Sequence, residues 1–189
     1  MPLPQEKHYT YADYLTWDEQ EHIELIEGVP VMMSPPSRVH QEISGELFRQ
    51  IANYLEGKKC RVYAAPFAVR LFEKTNDDAS SVDTIVEPDL SVVCDRDKLD
   101  DKGCKGAPDL VIEVLSPSSI RNDRLTKFNL YQRAGVKEYW IVNPAEKSIQ
   151  VFVLEDNHYV ATALGGSSDV LKVNVLDGCY IDLARVFSE

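Results

Sequence analysis

At 189 residues, with 44% hydrophobic and 27% charged content, the chain suits one domain, residues 1–189, with a sizeable core. No apolar run approaches the roughly 20 residues of a membrane span, so a membrane partner is not expected. A formal net charge of −11 and a pI near 4.8 argue against a general polyanion binder and confine any nucleic-acid role to a local site, a partner or a metal.

The N-terminal MPLPQEKHYTYADYL lacks a basic-then-apolar signal, which predicts cytoplasmic residence. Thr10 to about Gln20 predicts a short helix capped by Thr10, with Tyr11, Tyr14 and Leu15 on one face. Glu21 to Met33 predicts a hairpin turned at Glu27-Gly28, with Ile23, Leu25, Val29 and Val31 as core candidates. After the loop Ser34 to Ser37, a longer helix is expected from about Val39 to Leu55. Its stripe is Val39, Ile43, Leu47, Ile51 and Leu55, and His40, Glu42, Glu46 and Arg49 lie beside or opposite it.

Arg61 to Phe72 predicts a strand bent at Pro66, and Glu73 to Asp83 a polar loop. Val86 to Cys94 predicts the next strand. Asp95 to Lys105 predicts a charged loop whose DRDKLDD run lacks the glycine and closing glutamate of a calcium loop. The four cysteines, Cys60, Cys94, Cys104 and Cys179, have no CxxC spacing, which argues against zinc and predicts reduced thiols.

Leu110 to Leu115 is a near-continuous apolar run interrupted by one acid, Glu113, and predicts a strand buried on both faces. Ser116-Pro117-Ser118-Ser119 breaks it and can cap a helix from about Asn122 to Ala134, closed by Gly135. Val136 to Val142 predicts a second strand, parallel to the first across the helix. Ser148 to Leu154, Tyr159 to Ala163 and Val170 to Val175 predict three antiparallel strands, and about Leu183 to Phe187 a terminal helical turn.

A carboxylate inside a buried strand is costly unless a cation or donors meet it. Asp89 shares a predicted strand face with Glu87, Ser91 and Val93, and Glu113 one with Asp109, Val111 and Leu115. If the two strands are neighbours, Asp89 and Glu113 converge and form, with a strand carbonyl, an oxygen site suited to Mg²⁺ or Mn²⁺. Asp123, Lys127 and Tyr131 follow at i, i+4, i+8 on the crossover helix, a face that can carry the Lys127 ammonium to the metal. Carboxylates, metal and ammonium together suit phosphodiester hydrolysis. The plainer readings are a surface pair for Asp123 and Lys127, turn residues for Asp89 and Asp109, a hydrogen-bonded helix residue for His40, and core for Tyr131 and Trp140.

The segments ELIEGVPVMMSPPSRVHQEI, EPDLSVV, GAPDLVIEVLSPSS and GVKEYWIVNP, with the spaced Asp123, Lys127 and Tyr131, give the chain a resemblance to a known family. It resembles the Uma-two family of restriction-endonuclease-like proteins, within the PD-(D/E)XK nuclease superfamily. The resemblance implies an α/β fold with a mixed sheet and an αβββαβ core, here with an extra N-terminal hairpin and C-terminal antiparallel strands. It implies that Asp89 and Glu113 bind the metal, with the Val114 carbonyl nearby. The lysine expected two residues after Glu113 is Leu115, and Lys127 on the following helix stands in for it. The first-helix glutamate of such nucleases falls on Glu46 or Glu42.

The function expected is therefore a Mg²⁺- or Mn²⁺-dependent DNA endonuclease with Asp89, Glu113, Lys127 and Glu46 as catalytic residues, and the expected assembly is a homodimer presenting paired sites. Leu115 and the negative charge motivate two rivals: a catalytically inactive binding module that keeps the nuclease fold, and a structural or interaction protein whose acids only tie strand ends together.

Overall fold

The computed structural model describes residues 7–18, 22–116 and 122–188. The N-terminal part contains helix α1 (Tyr11–Tyr14), the hairpin β1 (Ile23–Ile26) and β2 (Val29–Met32), and the long helix α2 (Arg38–Leu55). The expected end of the first helix and the start of the hairpin, residues 19–21, lie outside the described residues. The hairpin turns at Glu27-Gly28, both with positive φ (49° and 77°), a pair of angles that favours glycine at its second position. Ser37 caps α2 by accepting from His40 N at 3.2 Å, so the serine ahead of the apolar stripe starts the helix.

The middle of the chain contains β3 (Arg61–Ala64), β4 (Val69–Arg70), β5 (Ile85–Val86), β6 (Leu90–Val93), a 3₁₀ turn, β7 (Leu99–Asp100), β8 (Gly103–Lys105) and β9 (Leu110–Val114). A π-helical stretch, Asn122–Lys127, runs into α3 (Phe128–Ala134), which Gly135 ends at φ 84°. Then come β10 (Glu138–Asn143), β11 (Ser148–Glu155), β12 (His158–Gly166), β13 (Val170–Lys172), β14 (Tyr180–Asp182) and α4 (Leu183–Val186).

Two six-stranded sheets organise these elements, in the orders β2-β1-β5-β4-β8-β7 and β12-β11-β10-β9-β6-β3, with β13 and β14 as a separate pair. In the second sheet β3 pairs antiparallel with β6 and β6 antiparallel with β9, whereas β10 lies parallel to β9 across the crossover that contains α3. The series α2-β3-β6-β9-α3-β10 is the αβββαβ core expected for a mixed α/β fold.

All five residues of β9 are buried, and they alternate between two cores. Leu110, Ile112 and Val114 pack with Ile43, Leu47, Ile51 and Leu55 of α2. Val111 and Leu115 pack with Leu130 and Tyr131 of α3 and with Val69 and Val86 of the first sheet. This double burial is what the continuous apolar run encodes.

Several elements depart from expectation. Arg61 to Phe72 and Val86 to Cys94 each divide into two strands, one in each sheet. The divisions fall at Pro66, after a cis Ala65–Pro66 bond, and at Glu87-Pro88-Asp89, because a proline has no N–H for a ladder and the chain crosses between sheets there. Asp95 to Lys105 is not a loop throughout but contains the 3₁₀ turn and the β7–β8 hairpin. The helix from Asn122 is π-helical in its first half. The strand from Val170 stops at Lys172 and pairs with β14, which periodicity missed. Val29 and Val39 are exposed, since β2 is a sheet edge and the α2 stripe meets the sheet only from Ile43 onward.

The cysteines differ as well. Cys60 and Cys94 form a disulfide, because the β3–β6 register Arg61↔Val93 sets the preceding and following residues opposite each other. Cys104 and Cys179 are free and buried. No helix among the described residues is long and apolar enough to cross a membrane.

Candidate active site

The β6–β9 register pairs Leu90 with Ile112, so one step further Asp89 stands opposite Glu113. Asp89 is fixed from two sides. Its Oδ2 accepts from Val114 N at 2.7 Å, and its Oδ1 lies 3.2 Å from His40 Nε2 on the first turn of α2. Its carbonyl accepts from Ala65 N at 3.1 Å, which ties the start of β6 to the end of β3.

Glu113 points from the middle of β9 toward α3. Its Oε1 accepts from Lys127 Nζ at 2.9 Å and from Tyr131 OH at 2.6 Å. Lys127 and Tyr131 are one helical turn apart and share a face, so the crossover delivers both donors to one carboxylate. Burial, and then the Glu113 charge, hold the Tyr131 phenol well above its ordinary pKa. It therefore stays protonated and donates.

Lys127 has a second acid. Its Nζ is 2.8 Å from Glu24 Oε1 on β1, and that oxygen also accepts from Glu87 N at 2.9 Å. Side-chain exposure is 7% for Lys127, 3% for Glu24 and 5% for Glu113, so the ammonium and both carboxylates form a buried triad. Glu87 adjoins it and accepts from Tyr14 OH at 3.2 Å, while its Oε2 is buried with no partner among the described residues. Burial pushes the Glu87 pKa up, the Tyr14 hydrogen bond opposes that, and the nearby Glu24 charge adds to it.

The structure thus joins Lys127 to Glu113, with Asp89 opposite Glu113 in register and its carboxylate on Val114 N and His40. Glu46 is elsewhere: its carboxylate is held by Arg49 at 2.5 and 2.7 Å and by Gln50 at 3.0 Å. Gln50 in turn bonds the backbone of Asp182, so Glu46 sits beside the C-terminal segment. Glu42 pairs with Arg38 at 2.6 and 2.7 Å. The reason is helical phase: Ile43, Leu47 and Ile51 turn toward the sheet, and the residue of α2 that reaches the site is His40, one turn earlier. Asp109 is also apart, accepting from Cys94 N at 2.8 Å and Lys137 Nζ at 2.6 Å. The Asp123 side chain lies outside the described residues.

The Uma2 family model, described as "Putative restriction endonuclease", matches residues 11–184. This chain belongs to the Uma2 family. An uncharacterized protein of Synechocystis sp. is 30% identical over 149 residues, which is 77% of this chain and 74% of that protein. The fold is shared with the crystal structure of a protein from Anabaena variabilis, described as a putative nuclease belonging to DUF820. The TM-score is 0.73 at 20% identity, over 95% of this chain and 97% of that one.

Within this Uma2 chain, Glu24 and Glu87 are site neighbours that sequence reasoning missed. ELIEG reads as an ordinary hairpin, and only the pairing of β1 with β5 (Leu25↔Ile85) brings Glu24 to the Glu87 backbone. The available signal was alternation: Glu24 sits between the buried Ile23 and Leu25, as Glu113 sits among apolar neighbours.

Among the described residues no group of three or more His, Cys, Asp or Glu side chains is arranged to hold a metal ion. Asp89 and Glu113 offer hard oxygen donors, the kind that Mg²⁺ or Mn²⁺ takes while keeping several waters.

Proposed function

We propose that this chain is a divalent-metal-dependent DNA endonuclease that hydrolyses phosphodiester bonds. The observation that carries the proposal is the placing of Lys127 against Glu113, itself opposite Asp89 in register. Asp89, Glu113 and the Val114 carbonyl would hold Mg²⁺ or Mn²⁺. When bound, the ion lowers the pKa of a coordinated water and screens phosphate charge.

The chain's own residues prepare that chemistry. His40 and Val114 N orient Asp89, and Tyr131 orients Glu113. Lys127, paired with Glu24 and Glu113, would orient an attacking water and meet the phosphate charge that develops. The water oxygen bonds to phosphorus, the bond to the leaving deoxyribose oxygen breaks, and a proton passes to that oxygen. Glu46 is not part of this proposal, because Arg49 and Gln50 occupy its carboxylate.

Cytoplasmic residence and a homodimer facing a duplex belong to the same proposal. The dimer is supported by β12, a sheet-edge strand of nine residues without Lys, Arg, Asp or Glu, which lacks the charges that usually block edge pairing. Sedimentation equilibrium measures it: a mass near 21.4 kDa at micromolar concentration refutes the dimer.

Incubation of the purified protein with plasmid DNA and Mg²⁺ or Mn²⁺ tests the enzyme. Nicking or cleavage lost in Glu113→Ala is expected, and equal cleavage by the variant counts against the proposal. One observation favours a second reading, a non-catalytic binding module: Lys127 is shut from solvent between two acids, as in a purely structural ion triad. Calorimetric titration with Mn²⁺ separates them, since binding abolished by Asp89→Ala supports the enzyme and no binding supports the module.

A further inference from the structure

A groove of about 480 Å³ opens on the sheet face that carries Glu113, a size typical of small-molecule sites. Strand register fixes its position. Glu113 pairs with Ile141, Ile141 with Gln150, and Gln150 with Leu164, so these four residues form one row across the sheet. Asn143, Ser148 and Gly166 form the parallel row beside it. Ile141, Gln150, Leu164, Asn143 and Ser148 all line the groove. It begins one strand from Glu113 and ends at the sheet edge. With strands about 4.8 Å apart, Gln150 is about 10 Å from Glu113, near three base steps of a stacked strand.

The lining selects the ligand. Among the described residues no Lys or Arg lines the groove, and the charged residue there is Glu146. Ile141 and the exposed Leu164 supply apolar walls. Gln150 is half-buried in the middle and offers an amide donor and acceptor together. Asn143 uses its Oδ1 to accept from Ala145 N and Glu146 N, which leaves its NH₂ as a fixed donor. Gly166 keeps the far end open, since a Cβ there would meet only Asp169 Oδ2, at 3.8 Å. Flat apolar walls with a neutral, two-way hydrogen-bonding amide suit a nucleobase, and glutamine and asparagine read base edges through such amide pairs.

We infer that this groove is a base-reading subsite, which seats an unpaired or splayed nucleobase of the substrate strand a few nucleotides from the scissile phosphate, with Gln150 as its specificity residue. The inference rests on the nuclease reading for its strand polarity and spacing, but base binding in the groove does not require hydrolysis.

The test has two arms on the full chain. In the first, NMR follows the Gln150 side-chain amide and the Leu164 methyls while each of the four deoxynucleosides is added. The expected result is saturable shifts, strongest for one base and lost in Gly166→Ile, which fills the groove. Absent shifts, or shifts unchanged by Gly166→Ile in a protein with a wild-type spectrum elsewhere, overturn the inference. In the second, cleavage of oligonucleotides varied near the scissile bond is compared with hydrolysis of bis(p-nitrophenyl) phosphate. Gln150→Ala should lower kcat/KM on the preferred oligonucleotide about tenfold or more, flatten the base preference, and leave the small diester unaffected. A preference that survives Gln150→Ala overturns the assignment of Gln150. Shifts without any hydrolysis uphold the subsite and sink the nuclease reading; hydrolysis without shifts does the reverse.

Discussion

Burying an ammonium between Glu24 and Glu113 sets a large desolvation cost against two close charge pairs, and the balance makes each partner costly to remove alone. Lys127→Ala takes from two adjacent buried carboxylates the ammonium they share. It should destabilise the fold by about 3–5 kcal/mol in urea unfolding, so loss of activity in that variant must be read beside its stability. Tyr131→Phe is gentler. It deletes the 2.6 Å bond to Glu113, should cost about 1.5–3 kcal/mol, and should lower cleavage while Mn²⁺ binding persists. The free thiols are predictable too. Burial pushes Cys104 and Cys179 up to about 11 from the ordinary 9.0. The unfolded chain therefore loses these protons first, and stability falls as pH rises from 9 toward 11. At about pH 8 in the native protein both thiols should resist iodoacetamide, which needs the thiolate. Mass spectrometry should show two alkylated cysteines after unfolding and four after reduction as well; alkylation of all four in unreduced, unfolded protein would refute the Cys60–Cys94 bond.

At the level of elements, α2 offers a contrast within one stripe. Ile51 is fully buried against the sheet and Val39 is exposed. Ile51→Ala should cost about 2–5 kcal/mol and Val39→Ala no more than about 0.5 kcal/mol, measured by chemical denaturation. Most elements were legible because they obey a period. The α2 stripe repeats every four residues, the β9 run is continuous, and Gly135 marks the end of α3. The strand breaks at Pro66 and Pro88 were half legible. Proline announces an interruption, but only the partner strands decide that the chain leaves one sheet for the other. The disulfide was illegible, because Cys60 and Cys94 are 34 residues apart and meet only through the β3–β6 register.

For the molecule as a whole, the proposed metal binding is linked to folding. An ion that binds only the folded state stabilises it by RT ln(1 + [L]/Kd), about 2.7 kcal/mol at one hundred times Kd. Mn²⁺ should accordingly raise the wild-type Tm by roughly 5 °C or more and leave Asp89→Ala unmoved; equal shifts in both proteins would place the ion elsewhere.

Local chemistry along the chain determined the helices and the strands of the crossover unit and offered Asp89, Glu113 and Lys127 as candidates, because period, caps and an acid inside an apolar run are properties of neighbouring residues. Tertiary structure alone decided that Glu24 shares Lys127 and that His40, not Glu46, reaches Asp89. It also decided that Gln150 lies in the Glu113 row. Those relations depend on strand register and helix phase, which arise only when segments far apart in sequence are packed against one another.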